Sequence, residues 1–478
     1  MANPSILFTI ALLAVVSLGL AAARRARWVR DVCIFLLLLG TTEYDLGSIN
    51  FYSREWYRGT TRGFEVCWLD FLWMIVLGDE LRSRRAGQRG PLPCGLVIML
   101  MFVAYSGLNV AMSEPRLFGL FELTKMLRAV MVFVTVACYV KRERELHLLS
   151  SALSAAVVYE FCAALHARVA LGHARAEGTL AHPNSLSMYN LIAIPVLLAV
   201  STSDGPPRLR RASGVAALLG TISILLTVSR SGLVSVLFVF LGVAVTCGSL
   251  EVTAKKLAIG AAALAIGGAA LAKMWPSYEA RFAEGGLEEE YGGKVNEGRG
   301  AYLHLADRMV ADRFWGWGLN NWSYWVSSRY GPRIGLHYLP YAGTDAPPPA
   351  RRLRPNANVD NPHAAPGHSL YAITLGETGW PGVALYGGVW ARWAQMTGRF
   401  LFKRSRAFRS RFGVGVFFGL VGAFCQSLSE WEIRQTPLLF LLHILLGAVA
   451  AFHNTWPPRE PALDSGASPA LRRIAGGA

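Results

Sequence analysis

Apolar runs of about 18 residues or more recur along the whole of this 478-residue chain, and a run of that length lets an α-helix cross the hydrocarbon core of a bilayer. Backbone polar groups find no partner in lipid, so a spanning segment must satisfy its own hydrogen bonds, as a helix does. Charged residues make up only 16% of the chain, where a soluble protein has about a quarter. The fold class is therefore an all-α polytopic membrane protein. The apolar runs predict about thirteen transmembrane helices, at roughly 5–23, 29–45, 64–81, 92–112, 117–140, 146–171, 184–202, 212–229, 231–249, 255–274, 367–392, 412–428 and 436–453. The chain divides into helices 1–10 (residues 1–274), a long extracytoplasmic loop (275–366) with short amphipathic helices, helices 11–13 (367–455) and a cytoplasmic tail (456–478).

Basic residues orient these helices, because short loops rich in Lys and Arg stay on the cytoplasmic side. Arg24, Arg25, Arg27 and Arg30 follow the first run, Arg82, Arg84, Arg85 and Arg89 the third, and Lys141, Arg142 and Arg144 the fifth. The alternation continues through Arg208, Arg210 and Arg211, Lys255 and Lys256, and Arg399 to Arg411. It puts the N-terminus and the loop 275–366 outside and the tail inside. The net charge of +16 is thus mostly a record of topology, and no nucleic-acid partner is expected. The first run lacks a basic segment before it, so it reads as a retained helix rather than a cleaved signal. All seven cysteines lie in or beside apolar runs, which indicates neither a disulfide framework nor a zinc site.

Ionisable residues inside spans are costly and mark function. Of Asp70, Glu122, Lys125, Arg128, Glu160, His166, Arg168, Arg230 and Glu377, most fall toward the outer side in this topology, with Glu160 near the middle of its span, which predicts a polar cavity opening outward. The bland alternative is that Glu122 neutralises Lys125 and that Arg168 reaches for the interface. A transport path would place charges at the midplane and on both sides.

The stretch from Gly298 to Gly382 carries the clearest chemistry. Tyr302, Leu305, Ala306, Met309 and Val310 recur at helical spacing and predict a short amphipathic helix led by Arg299. Gly316-Trp317-Gly318 ends it, and His368 opens the next apolar run. Arginine binds phosphate through paired charge-assisted hydrogen bonds, so Arg230 and Arg299, with Lys125 and Arg128, can clamp a diphosphate. Histidine suits proton abstraction from a hydroxyl. The simpler roles are surface anchoring for Arg299 and helix capping for His368. Glu377, nine residues from His368 on a regular helix, points to the opposite side and reads as structural unless Pro381 distorts the turn. Asp360, His363 and His368 match no strong metal motif, and the Glu288–Glu290 run reads as solvated surface. The aromatics from Phe314 to Trp325 serve either to stack sugars or as an interface belt.

Four segments stand in order along the chain: Gly178-Thr179 with His182-Pro183-Asn184, then Ser229-Arg230-Ser231-Gly232, then Arg299 through Gly318, and finally His368-Ser369-Leu370-Tyr371 with Glu377-Thr378-Gly379-Trp380-Pro381-Gly382. Together they resemble the bacterial O-antigen ligase and polymerase superfamily. Leu303 stands where many members carry Trp, the segment from Met309 to Gly316 is about one residue short, and twelve spans are usual. The resemblance implies metal-independent, inverting transfer of a glycan from undecaprenyl diphosphate at the periplasmic face of the bacterial inner membrane. It makes His368, Arg299 and Arg230 the candidate catalytic residues and Lys125, Arg128, Arg175, His182, Asn184, Tyr371 and Glu377 candidate substrate-binding residues, with no cofactor. The expected acceptor is lipid A-core glycolipid, another glycan or a protein hydroxyl. Ligase, polymerase and protein-glycosylating readings share this site. A lipid-linked oligosaccharide transporter is the alternative from another class, and it would not need His368.

Overall fold

The computed structural model describes residues 4–43, 48–83, 92–180, 182–248, 254–283, 298–338, 363–403 and 405–453. The tail beyond 453, Glu288–Glu290 and Asp360 lie outside the described residues. A helix stands at each predicted apolar run: α1 (Pro4–Arg25), α2 (Arg27–Leu39), α3 (Trp68–Ser83), α4 (Leu96–Ala111), α5 (Arg116–Tyr139), α6 (Glu143–Val169), α7 (Pro183–Ser201), α8 (Pro207–Thr227), α9 (Arg230–Cys247) and α10 (Ala254–Ala283). The amphipathic helix follows as α11 (Gly300–Asp312), and then come α12 (Leu370–Gly398), α13 (Phe408–Ser427) and α14 (Thr436–His453).

Six of these, α6, α7, α8, α9, α13 and α14, are long and apolar enough to cross a membrane, as an all-α membrane protein requires. A helix at a predicted position is not itself a crossing. The 13 residues of α2 rise only about 20 Å, short of the roughly 30 Å hydrocarbon core.

Two departures from the sequence reading are local. Residues 49–66, read as loop and the start of a span, form an antiparallel hairpin of β1 (Ile49–Ser53) and β2 (Gly63–Val66), with Ile49 opposite Val66 and Asn50 opposite Glu65. The alternation in Ile-Asn-Phe-Tyr and Gly-Phe-Glu-Val, with its aromatic and β-branched residues, is a strand pattern too short to register beside the apolar runs. The long loop also starts later than predicted, because α10 continues through Pro276 to Ala283, where buried Tyr278 donates to the Leu225 carbonyl at 3.2 Å.

At the centre lies α7, buried along nearly all its length. Gly415 and Gly419 of α13 let the two backbones meet, since a Cβ at either position would fall 2.4 Å from Val196 Cα or 2.6 Å from the Ile192 carbonyl oxygen. Small residues four apart on a membrane helix permit this approach.

A second close approach holds the outer layer to α12. Pro381 has no N–H for the Glu377 carbonyl, so the helix breaks there, and Gly379 takes φ 66°, ψ −172°. The freed groups pair with the turn after α11. Trp317 N donates to the Gly376 carbonyl at 3.1 Å, Gly318 N to the Glu377 carbonyl at 2.8 Å, and Trp380 N to the Phe314 carbonyl at 3.2 Å. The Gly-Trp-Gly turn and the Gly-rich kink thus satisfy each other's backbone. A Cβ on Gly379 would lie 2.0 Å from the Phe314 carbonyl oxygen, so Gly379→Ala combines a left-handed penalty of about 1–2 kcal/mol with a collision against backbone. A lowered thermal unfolding midpoint in detergent, or loss of folded protein, is the expected result.

Candidate functional site

The starts of α7, α11 and α12 converge on one carboxylate, Glu430, in the connector between α13 and α14. Its side chain is 1% exposed. Oε1 accepts from Arg299 Nη2 at 2.9 Å and from Asn184 Nδ2 at 2.6 Å, while Oε2 lies 2.9 Å from His368 Nδ1. Its own carbonyl accepts from Leu370 N at 3.1 Å, so the connector and the head of α12 are tied together twice.

Local sequence explains each position. Arg299 immediately precedes α11, whose buried face (Leu305, Ala306, Met309) packs with Trp322, Val326, Ala372 and Ile373. The helix cap ahead of α12 is Ser369, whose Oγ accepts from Ala372 N at 3.3 Å. His368, one residue earlier, is therefore not the cap, and its ring turns instead to Glu430 and Tyr302, 5.8 Å away centre to centre. His182 caps α7, its Nδ1 accepting from Asn184 N at 3.2 Å, and Pro183 starts that helix where a missing N–H costs nothing. Asn184 is itself held by Arg175, whose Nη2 donates to Asn184 Oδ1 at 3.0 Å and whose Nε donates to the Thr227 carbonyl at 3.1 Å. That second contact carries the network to the turn where α9 begins. There Arg230 stands over the Phe282 ring at 5.9 Å.

The electrostatics give the two neighbouring acids different states. Burial alone would raise the Glu430 carboxyl, but the hydrogen bond with His368 and the charge of Arg299 outweigh it and hold the group below its ordinary range. Glu432 is pushed well above that range, by burial first and by the Glu430 charge second. The two neighbouring carboxyls are thus driven in opposite directions, Glu430 toward its charged form and Glu432 toward its neutral one. Burial also lowers the His182 imidazole, which sits 3.7 Å from Glu432 Oε1. A carboxylate can only accept, so the contact with Glu430 places a proton on His368 Nδ1, and a neutral ring held this way has its lone pair on Nε2. The arrangement is an imidazole oriented by a buried carboxylate, with guanidinium groups and three helix N-termini beside it, a setting whose electrostatics favour an anion.

Of the predicted residues, His368, Arg299, Asn184 and Arg175 meet in this network, with His182 at its edge and Arg230 beyond the Thr227 turn. Tyr371 donates to the Phe424 carbonyl at 3.1 Å and packs on that ring, fixing α12 against α13. Lys125, Arg128 and Glu377 belong to other buried clusters. Lys125 pairs with Glu122 at 2.8 Å, and Arg434 joins Glu122 (3.1 Å) to Glu377 (2.8 Å). Arg128 holds Asp70 through two contacts of 2.9 and 2.7 Å. The four charges of the first cluster balance, so removing one leaves the others uncompensated. Arg434→Met is expected to destabilise the protein by about 3–5 kcal/mol, read as a lower unfolding midpoint in the same detergent.

Glu430, Glu432 and Arg434 escaped the sequence reading. Their signal is three ionisable residues alternating with Trp431 and Ile433 in a connector only a few residues long between two apolar runs. Among the described residues no three His, Cys, Asp or Glu side chains gather as a metal site would need. Compared with known proteins, the chain matches no family model and no curated protein.

Proposed function

We propose that this chain is a membrane-embedded, inverting glycosyltransferase of the O-antigen ligase type, moving a glycan from undecaprenyl diphosphate to an acceptor hydroxyl at the periplasmic face of the inner membrane, without a metal. The thirteen crossings and the outward-facing site belong to this proposal. One observation carries it: a single buried carboxylate, Glu430, orients His368 on one oxygen and holds Arg299 on the other.

In this reading His368 Nε2 accepts the proton of the acceptor hydroxyl as its oxygen attacks the anomeric carbon. The bond from that carbon to the diphosphate breaks on the opposite face, which inverts the centre. The imidazolium that forms is stabilised by Glu430, as a carboxylate stabilises the histidine of a hydrolase triad. Arg299 and Arg230 receive the growing negative charge on the leaving diphosphate, each such donor being worth about 3 kcal/mol. Arg175 and Asn184 keep Glu430 in place.

Deleting the chain tests the reading. Accumulation of full-length polymer on the lipid carrier is the expected result. Accumulation of a single lipid-linked repeat unit would make it a polymerase on the same carrier. An unchanged pool of lipid-linked glycan would contradict any role in its transfer.

A further inference from the structure

A strongly basic feature outside this site lies at the opposite end of the molecule. The end of α1, the start of α2 and the end of α3 enclose a hollow of about 580 Å³ lined by Arg24, Arg25, Arg27, Arg30, Asp79 and Arg82. Arg30 is committed, its Nη1 bonded to Asp79 and to Glu80 at 3.0 Å each, although its buried Nε has no partner. The other four arginines have no ion-pair partner among the described residues. Close packing fixes the walls, since a Cβ on Gly19 would meet Ile75 Cδ1 at 2.3 Å and one on Gly78 would meet Leu20 Cδ2 at 2.9 Å. Apolar side chains flank the hollow and face outward: Leu18 is 71% exposed, Trp28 64% and Leu81 55%. The 24-residue α5 runs between the two ends, with Lys141 just past its last turn pairing with Glu80 beside the hollow and Glu122 near its start pairing with Arg434 of the Glu430 connector, so the hollow belongs to the other face.

We propose that this hollow binds the headgroup of an anionic phospholipid in the leaflet opposite Glu430, with its acyl chains along the exposed apolar flank. Four guanidinium groups with no ion-pair partner among the described residues suit two phosphates better than one, because each planar fork can hold a phosphate bidentately. The adjoining apolar surface has no role for a free anion and is what an acyl chain would cover. Trp28 at the rim has the amphipathic ring that favours headgroup depth. This inference stands apart from the glycosyl-transfer reading, and its test needs no activity.

The full chain, purified in detergent, is titrated with cardiolipin (which carries two phosphates), with phosphatidylcholine and with sodium pyrophosphate, following the unfolding midpoint and lipid retention in native mass spectrometry. Cardiolipin is expected to be retained and to raise the midpoint, with neither effect from phosphatidylcholine and no displacement by pyrophosphate. Arg25→Gln/Arg82→Gln should weaken retention by about tenfold or more, since each basic group near an anionic headgroup contributes roughly that order per pair. Arg406→Gln/Arg409→Gln, on the same end but outside the hollow, should change nothing. If the first pair inserts poorly, Arg25→Lys/Arg82→Lys keeps the orienting charge and should still weaken retention by about threefold for want of the planar fork. Equal response to phosphatidylcholine, equal loss in the distal pair, wild-type retention in the Lys pair, or displacement by pyrophosphate would each overturn the proposal.

Discussion

His368→Ala is expected to lower glycan transfer by about 10²–10⁴-fold, the usual contribution of a general base, while the protein still folds and still binds undecaprenyl diphosphate. The ring is only partly buried, with 38% of its side chain exposed, so its removal leaves no large core cavity. His363 is the internal control. It is fully buried, with its ring tilted 55° to that of Trp56 at 6.2 Å between centres. His363→Ala should therefore show itself in stability, and the rate per folded molecule should change much less. The base assignment fails if His368→Ala transfers glycan near the wild-type rate, or if His363 is the position that abolishes turnover in folded protein.

The second large effect is expected at Arg299. If it supplies about 3 kcal/mol to charge developing on the diphosphate, Arg299→Ala lowers turnover by roughly a hundredfold or more. The structure adds a second consequence. Arg299 donates to the same carboxylate that orients His368, and its positive charge helps keep Glu430 ionised. Arg299→Lys retains the charge beside Glu430 but not the fork, so partial recovery is expected. Turnover should be measured with saturating donor, so that weaker binding is not mistaken for a slower chemical step. Full recovery by Lys would leave Arg299 a point charge, and an unaffected Arg299→Ala would remove it from the chemistry.

How much of this was legible depends on which physical signal each feature leaves in sequence. The helices were, because apolar runs of spanning length are long and uninterrupted, and α11 was because Leu305, Ala306 and Met309 keep their spacing. The kink at Gly379 was partly legible: Pro381 announces a break, but not that the Gly316–Gly318 turn would bind the freed carbonyls. The β-hairpin was missed because four or five alternating residues carry little weight beside runs of twenty. Glu430 was missed for a different reason. A charge is conspicuous in sequence when it interrupts an apolar run, whereas Glu430 and Arg434 sit in a connector that reads as exposed loop and is buried by contacts with α5, α7, α12 and the start of α11. The pairing of Lys125 with Glu122, three residues earlier, was legible, but the pairs Arg128–Asp70 and Glu377–Arg434 are set by tertiary packing. Charge pairing across some 300 residues of chain, as between Glu122 and Arg434, leaves no local pattern to read.

In the proposed mechanism Glu430 acts through His368, holding the ring so that Nε2 is the free base. Glu430→Gln should then cost activity on the order of 10²–10⁴-fold, because an amide stabilises neither the required tautomer nor the imidazolium. The decisive measurement is transfer rate in four proteins: wild type, His368→Ala, Glu430→Gln and the double variant. Residues that act as one unit are strongly non-additive, so the double variant is predicted to lie within about threefold of His368→Ala alone. If Glu430→Gln lowers the rate by the same factor whether or not the imidazole is present, Glu430 does not work through His368, and the account is contradicted.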